Sequence, residues 1–194
     1  MLAPLVALTP SSARADVQVS VRLGTGGGAA FVRGLPTDGL FDAHLVADLS
    51  FGPRLADTVR VGPSLELRTN DLTTAEVTLG GSVLLPVVPA LPLVLTVALG
   101  YASRRDDGTA AGALDGADGA LALARAAFGY RPYNYLSRYG YGLQLYVDLR
   151  RSVTGPERWE VSGGLEADLE FVFVIPVLFV VTWLRGGDPD EPDE

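Results

Sequence analysis

Residues 159–173 read WEVSGGLEADLEFVF, and their alternation decides the fold. Trp159, Val161, Gly163, Leu165, Ala167, Leu169, Phe171 and Phe173 share one parity; Glu160, Ser162, Gly164, Glu166, Asp168 and Glu170 share the other. A period of two belongs to a β-strand, whose successive side chains point to opposite faces. Globular strands peak near ~5–6 residues, so this run is long. It exceeds the ~9–11 residues with which a tilted strand crosses hydrocarbon.

The same period recurs along the chain from Val17 onward. Val17 to Leu23 places Gln18, Ser20 and Arg22 on its polar parity, and Phe41 to Phe51 places Asp42, His44, Asp48 and Ser50 there, with Val46 among them. Val59 to Leu67 alternates with Arg60, Gly62, Ser64, Glu66 and Arg68, and Ala75 to Leu85 with Glu76, Thr78, Gly80, Ser82 and Leu84. Leu95 to Tyr101 alternates with Thr96, Ala98 and Gly100. The Ala-rich stretch 119–130 has no clear parity of its own; Arg125 placed inward puts Phe128 and Tyr130 outward. Tyr139, Tyr141, Leu143, Leu145, Val147 and Leu149 oppose Gly140, Gly142, Gln144, Tyr146, Asp148 and Arg150. No segment sustains an apolar period of 3.6, and the alanines of 109–124 are broken by glycines. The chain reads as all-β with about eight strands.

Composition narrows the classes further. With 48% hydrophobic residues over 194 positions the chain can bury a core, which excludes a disordered polymer. It has no cysteine, which excludes disulfide scaffolds and thiolate metal sites. Its net charge of −8, without a basic cluster, argues against nucleic acid. No run of 18 apolar residues occurs, so spanning helices are excluded too. Every one of its 15 basic residues is arginine.

Residues 1–15, MLAPLVALTPSSARA, resemble a secretory signal peptide that lacks its basic start: an apolar stretch, a breaker at Pro10 and the A-x-A pattern Ala13-Arg14-Ala15. Cleavage there would export a chain beginning at Asp16. Without residues 1–15 the net charge becomes −9, and five of those negatives belong to the tail. The connections alternate in character. Long links span Thr25 to Leu40 and Arg104 to Gly119; tight joins fall at Gly52-Pro53-Arg54, Pro86 to Pro92 and Arg131 to Asn134. The two links 69–73 and 151–157, on the same end as the long ones, are short.

Alternation alone does not say whether the apolar face is a core or a lipid-facing wall. Three features favour lipid. The polar face is rich in glycine and serine, which suit a narrow, curved lumen. It also carries both signs of charge, as an enclosed lumen requires for pairing: Arg22, Arg60, Arg68, Arg125 and Arg150 against Asp42, Asp48, Glu66, Glu76, Asp148, Glu160, Glu166, Asp168 and Glu170. Aromatics on the apolar parity gather at strand ends: Phe51, Phe128, Tyr130, Tyr139, Tyr141, Phe171 and Phe173 at one, Phe41, Tyr101 and Trp159 at the other. Two such girdles mark the headgroup zones of a bilayer.

On these features the chain resembles the small outer-membrane β-barrel proteins of Gram-negative bacteria over residues 16–174, without a motif that selects a subfamily. The resemblance implies an antiparallel up-and-down transmembrane barrel, outer-membrane lipid around it, insertion by the barrel-assembly machinery, and both termini in the periplasm. One departure is the chain past Phe173. Residues 171–184 are continuously apolar but interrupted by Pro176; the expected organisation is a strand to about Val174, a membrane-associated segment over 175–187, and a disordered acidic tail over 188–194. A ninth strand over 177–184, with a tenth near Ala29 to Gly34, is the alternative.

Candidate chemistry is sparse. His44, the only histidine, faces the polar side among carboxylates rather than a bilayer-facing serine, so it reads as a lumen hydrogen-bonding residue. One histidine and scattered carboxylates do not make a metal site. Asp106, Asp107, Asp115 and Asp118 lack the spacing of a calcium loop, and GTGGG at Gly24 to Gly28 is followed by neither Lys nor a helix. No catalytic, metal or cofactor residues are assigned. The expected function is a structural or interaction barrel with a side-chain-filled, charge-paired lumen and longer outer loops 25–40 and 104–118 facing a protein partner. A narrow passive channel, a soluble lipocalin-like binder and, last, a lipid-modifying enzyme are the alternatives.

Overall fold

The computed structural model describes residues 15–32, 35–53, 58–88, 91–104, 118–130, 142–154, 157–169, 172, 176–177 and 180–182. Its strands are β1 (Ala15–Val32), β2 (Leu35–Pro53), β3 (Arg60–Asn70), β4 (Thr74–Val88), β5 (Leu91–Arg104), β6 (Gly119–Tyr130), β7 (Leu143–Ser152) and β8 (Arg158–Asp168). Each pairs antiparallel with its neighbours in sequence, and β8 pairs with β1 to close the barrel. The fold is therefore an eight-strand, up-and-down β-barrel.

The register sets its shape. Val21 pairs with Ala47, then in turn Leu65, Leu79, Leu99, Ala122, Arg151, Trp159 and finally Phe31. One circuit thus returns to β1 ten residues above its starting point. With strands ~4.8 Å apart rising ~3.3 Å per residue, that stagger tilts them about 40° and gives a backbone diameter of about 16 Å. Such an interior is just wide enough for side chains.

The stagger also corrects one expectation. Thr25 to Leu40, read from sequence as a long loop, is almost entirely strand: β1 continues to Val32 and β2 begins at Leu35. A barrel staggered by ten residues needs a first strand long enough to meet β2 along 15–32 and β8 along 22–32. The glycines that suggested a loop are there for space. A Cβ on Gly26 would lie 2.3 Å from both the Gly163 carbonyl oxygen and the Tyr146 hydroxyl.

A second correction falls at the other end. β8 stops at Asp168 rather than running to Val174, and Leu169 is already helical, as are Val172, Pro176, Val177 and 180–182. The described positions of the alternative ninth strand are thus helical. The physical reason is legible in hindsight: after Glu170 the sequence offers no polar parity to face a lumen. Residues 1–14 of the expected signal segment 1–15, residues 105–117 of the expected loop 104–118, residues 131–141, and residues 183–194 with the expected tail 188–194 lie outside the described residues.

Between β3 and β4 the chain turns on Asp71 and Leu72, both at positive φ (50° and 59°), with the Thr73 N–H donating to the Asn70 carbonyl at 3.0 Å. Two positive φ values match the twist of a tight hairpin. Asp71 ties this turn to β2, its carboxylate accepting from the Phe41 N–H at 2.9 Å.

Candidate functional site

Strand parity sends the charged residues inward. Arg22, Asp42, His44, Asp48, Arg60, Glu66, Arg68, Glu76, Arg125, Asp148, Arg150, Glu166 and Asp168 are all buried, and Glu160 is nearly so. Glu170 lies outside the described residues.

The centre of the lumen holds one connected network. Arg22 from β1 bridges Asp48 on β2 and Glu166 on β8, the latter at 2.6 Å, and reaches the Gln144 side-chain oxygen at 3.3 Å. Arg68 from β3 crosses to Asp148 on β7 and also meets Glu66 at 2.7 Å. Arg125 from β6 forks onto Asp148 with two donors, at 2.6 and 2.8 Å. It also contacts Glu166 at 2.8 Å and Glu66 at 3.0 Å. Planar guanidinium suits this role because its donors can serve several carboxylates at once.

His44 sits inside that network. Its Nδ1 is 3.1 Å from Asp42 and its Nε2 3.0 Å from Glu166. A carboxylate only accepts, so both contacts are complete when both ring nitrogens carry hydrogen. The Tyr146 hydroxyl donates to Asp42 at 2.6 Å, and its ring meets His44 edge-on at 4.7 Å between centroids. Among the described residues His44 bonds to two acids that arginines also pair, while Ser162 accepts from Arg68 at 3.2 Å. The arrangement can hold charge and geometry.

Toward the loop-bearing end a second cluster surrounds Arg150, which contacts Glu76 and Glu160, each at 2.8 Å, and Asn70 at 3.3 Å. Asn70 in turn donates to Glu76 at 2.7 Å. Toward the end where β1 begins and β8 stops, Arg60 donates to the Pro53 carbonyl at 3.3 Å, and Ser20 to Asp168 at 3.2 Å.

The opposite wall is different. Leu84, Val94 and Ala127 pack with Tyr146, and Ala98, Leu121 and Leu123 form a second buried group. Parity alone places Tyr146, Gln144 and Ser162 on the inner face, but the charge pattern does not single them out. Asn70 continues the same inward parity two residues beyond Arg68, at the end of β3. Strand 119–130 hid its apolar inner face because alanine fills the outer one.

Outside, the pattern inverts: Val97 is 69% exposed, Leu99 67%, Leu79 and Leu145 64%. Phe51, Phe128 and Tyr130 lie at the end of this exterior where β1 begins, and Phe41, Tyr101 and Trp159 at the other. Tyr139, Tyr141, Phe171 and Phe173 lie outside the described residues. Among the described residues no group of His, Asp or Glu is arranged to hold a metal ion, and no helix is long and apolar enough to cross a membrane.

The chain matches no protein-family model and no curated protein. Among solved structures it is similar to Neisserial surface protein A, with 14% identity and a TM-score of 0.45 over 79% of this chain and 99% of that one. It is also similar to a de novo designed transmembrane β-barrel, at 15% identity and a TM-score of 0.41 over 77% and 95%. A third is the attachment invasion locus protein of Yersinia pestis, solved with the heparin analogue sucrose octasulfate, at 10% identity and a TM-score of 0.35 over 78% and 99%.

Proposed function

We propose that the chain is an outer-membrane scaffold: a barrel that spans lipid, is closed along its axis by side chains, and holds a paired hairpin at its outer end for a protein partner. The observation that carries this reading is the inversion of burial. Charged side chains are inside and large aliphatic ones outside, an arrangement that water would penalise and hydrocarbon favours. Phe41 and Phe51 stand ten residues apart on β2. At ~3.3 Å per residue and ~40° tilt they bracket about 25 Å, the height of the apolar band of such barrels.

Conduction is disfavoured by the arginines that cross the lumen, Arg68 reaching Asp148 and Arg150 reaching Glu76. A lipid-modifying enzyme is disfavoured because His44 faces inward; lipid A and phospholipid acyl chains are expected to be unchanged by His44→Ala. Export through a cleaved N-terminal segment and insertion by the barrel-assembly machinery belong to the same reading.

The test is gel migration of detergent-extracted protein with and without heating. An unheated band that migrates as a compact, denaturation-resistant species supports the membrane barrel. Identical migration, together with solubility in the absence of detergent, would replace it with a lipocalin-like binder. Steady conductance across a planar bilayer would replace the scaffold with a channel.

A further inference from the structure

On the outward positions of all eight strands the described residues carry one charged side chain, Arg151. It stands at the loop-bearing end of β7, in register with Trp159 on β8, which in turn pairs with Phe31 on β1. Its guanidinium carbon lies 4.8 Å from the centre of the Trp159 ring, a cation–π arrangement that holds the fork against the barrel wall. Among the described residues its ion-pair partner is Glu157, 3.7 Å away, which also accepts from the Trp159 indole N–H at 3.3 Å. Both charges are more than half exposed, so this pair is worth little and leaves most of the guanidinium donors open.

A cation alone on an apolar wall is stable only where it meets polar headgroups, and tryptophan prefers that same level. Resting on the membrane reading above, we propose that Arg151, presented by Trp159, binds the phosphate of an anionic lipid headgroup at the outer end of the barrel. Arginine rather than a point charge fits this task, because its fork can donate to two phosphate oxygens while its face stays stacked. Glu157 tempers the site by competing for the same donors.

The chain's two tryptophans allow a direct test. With Trp183→Phe, Trp159 is the sole indole. The protein is reconstituted in phosphatidylcholine vesicles containing a minor fraction of phosphatidylglycerol, and bromine is placed on the acyl chains of one lipid or the other. Quenching of Trp159 by brominated phosphatidylglycerol is expected to exceed its mole fraction about fivefold, the enrichment that one cation near a membrane surface supplies. Arg151→Ala and Arg151→Gln should bring quenching down to the mole fraction, Arg151→Lys should retain part of the excess, and Glu157→Gln should raise it. Unheated gel mobility reports that each variant is folded.

Quenching in proportion to the mole fraction in the parent protein, or an excess that persists in Arg151→Ala, overturns the proposal. Loss of the excess on adding millimolar inorganic phosphate overturns the lipid as the source. Absence of quenching by either brominated lipid is a different result: it overturns the membrane reading itself.

Discussion

β2 and β5 line the same lumen in opposite ways. The inward side chains of β2 are Asp42, His44, Val46, Asp48 and Ser50, whereas the buried inward side chains of β5 are Pro92, Val94, Thr96 and Ala98. The charged wall continues through β1, β3, β7 and β8. What separates the walls is sequence distance. β4, β5 and β6 lie together in the middle of the chain and, apart from Glu76 and Arg125, turn aliphatic or small side chains inward. The network joins residues far apart in sequence, Arg22 with Glu166, His44 with Glu166, Arg68 with Asp148, and takes Arg125 from the middle strands. In a barrel whose exterior faces lipid, burying aliphatic groups gives little reason to close, since lipid is as apolar as leucine. Ion pairs at the seam are directional, and such groups can favour one register over another.

The largest expected effect comes from breaking that network at its hub. Arg125→Met leaves Asp148, Glu66 and Glu166 each short of a partner, and removing one side of a buried ion pair costs about 3–5 kcal/mol. Urea unfolding of the reconstituted barrel should show the loss. Adding Asp148→Asn to the same chain should recover part of it, because one uncompensated charge is then gone. A double variant as unstable as the sum of its parts would mean the network acts as independent pairs.

The apolar wall should respond less. Leu123→Ala removes a fully buried aliphatic side chain from the β6 face, and such deletions in well-packed cores cost about 2–5 kcal/mol. The neighbours are alanines and Leu121, which can close only part of the gap, so about 2 kcal/mol is expected, below the Arg125 value. A larger loss than Arg125→Met would reverse the ranking of the two walls.

Where the walls meet stands Tyr146. Its ring packs with Leu84, Val94 and Ala127, and its hydroxyl donates to Asp42. Tyr146→Phe keeps the packing and loses one hydrogen bond to a charged acceptor, an expected cost of about 1.5–3 kcal/mol at most. A double-mutant cycle with Asp42→Asn assigns that cost to the contact: the two substitutions together should cost less than their sum.

This division explains how far the sequence could be read. Parity told inside from outside at Arg22, Glu66 or Leu145, because lumen and exterior differ in polarity at every second residue. It could not tell that Thr25 to Leu40 is strand, since the stagger that extends β1 is a property of the closed ring and not of any one segment. Nor could it rank partners within the lumen. Arg68 lies next to Glu66 on its own strand but also reaches β7, a contact visible only once the barrel is closed. Phe171 and Phe173 extend the alternation past Asp168 in the sequence, where Leu169 is already helical.

The smallest effect concerns the hairpin that sets β3 against β4, the boundary between the two walls. Leu72 holds φ at 59° and is 76% exposed, so its side chain gains nothing from burial while its backbone occupies a region costly to any residue with a Cβ. Leu72→Gly removes that strain at the expense of unfolded-chain entropy, and a gain of up to about 1 kcal/mol is expected. The turn fixes Arg68 opposite Glu76 and Glu66 opposite Thr78. If the turn serves only to set register, the gain should appear in full in the Arg125→Met background, because the two sites share no partner. A gain that vanishes there would mean that the charged wall, and not the turn, holds β3 and β4 in register.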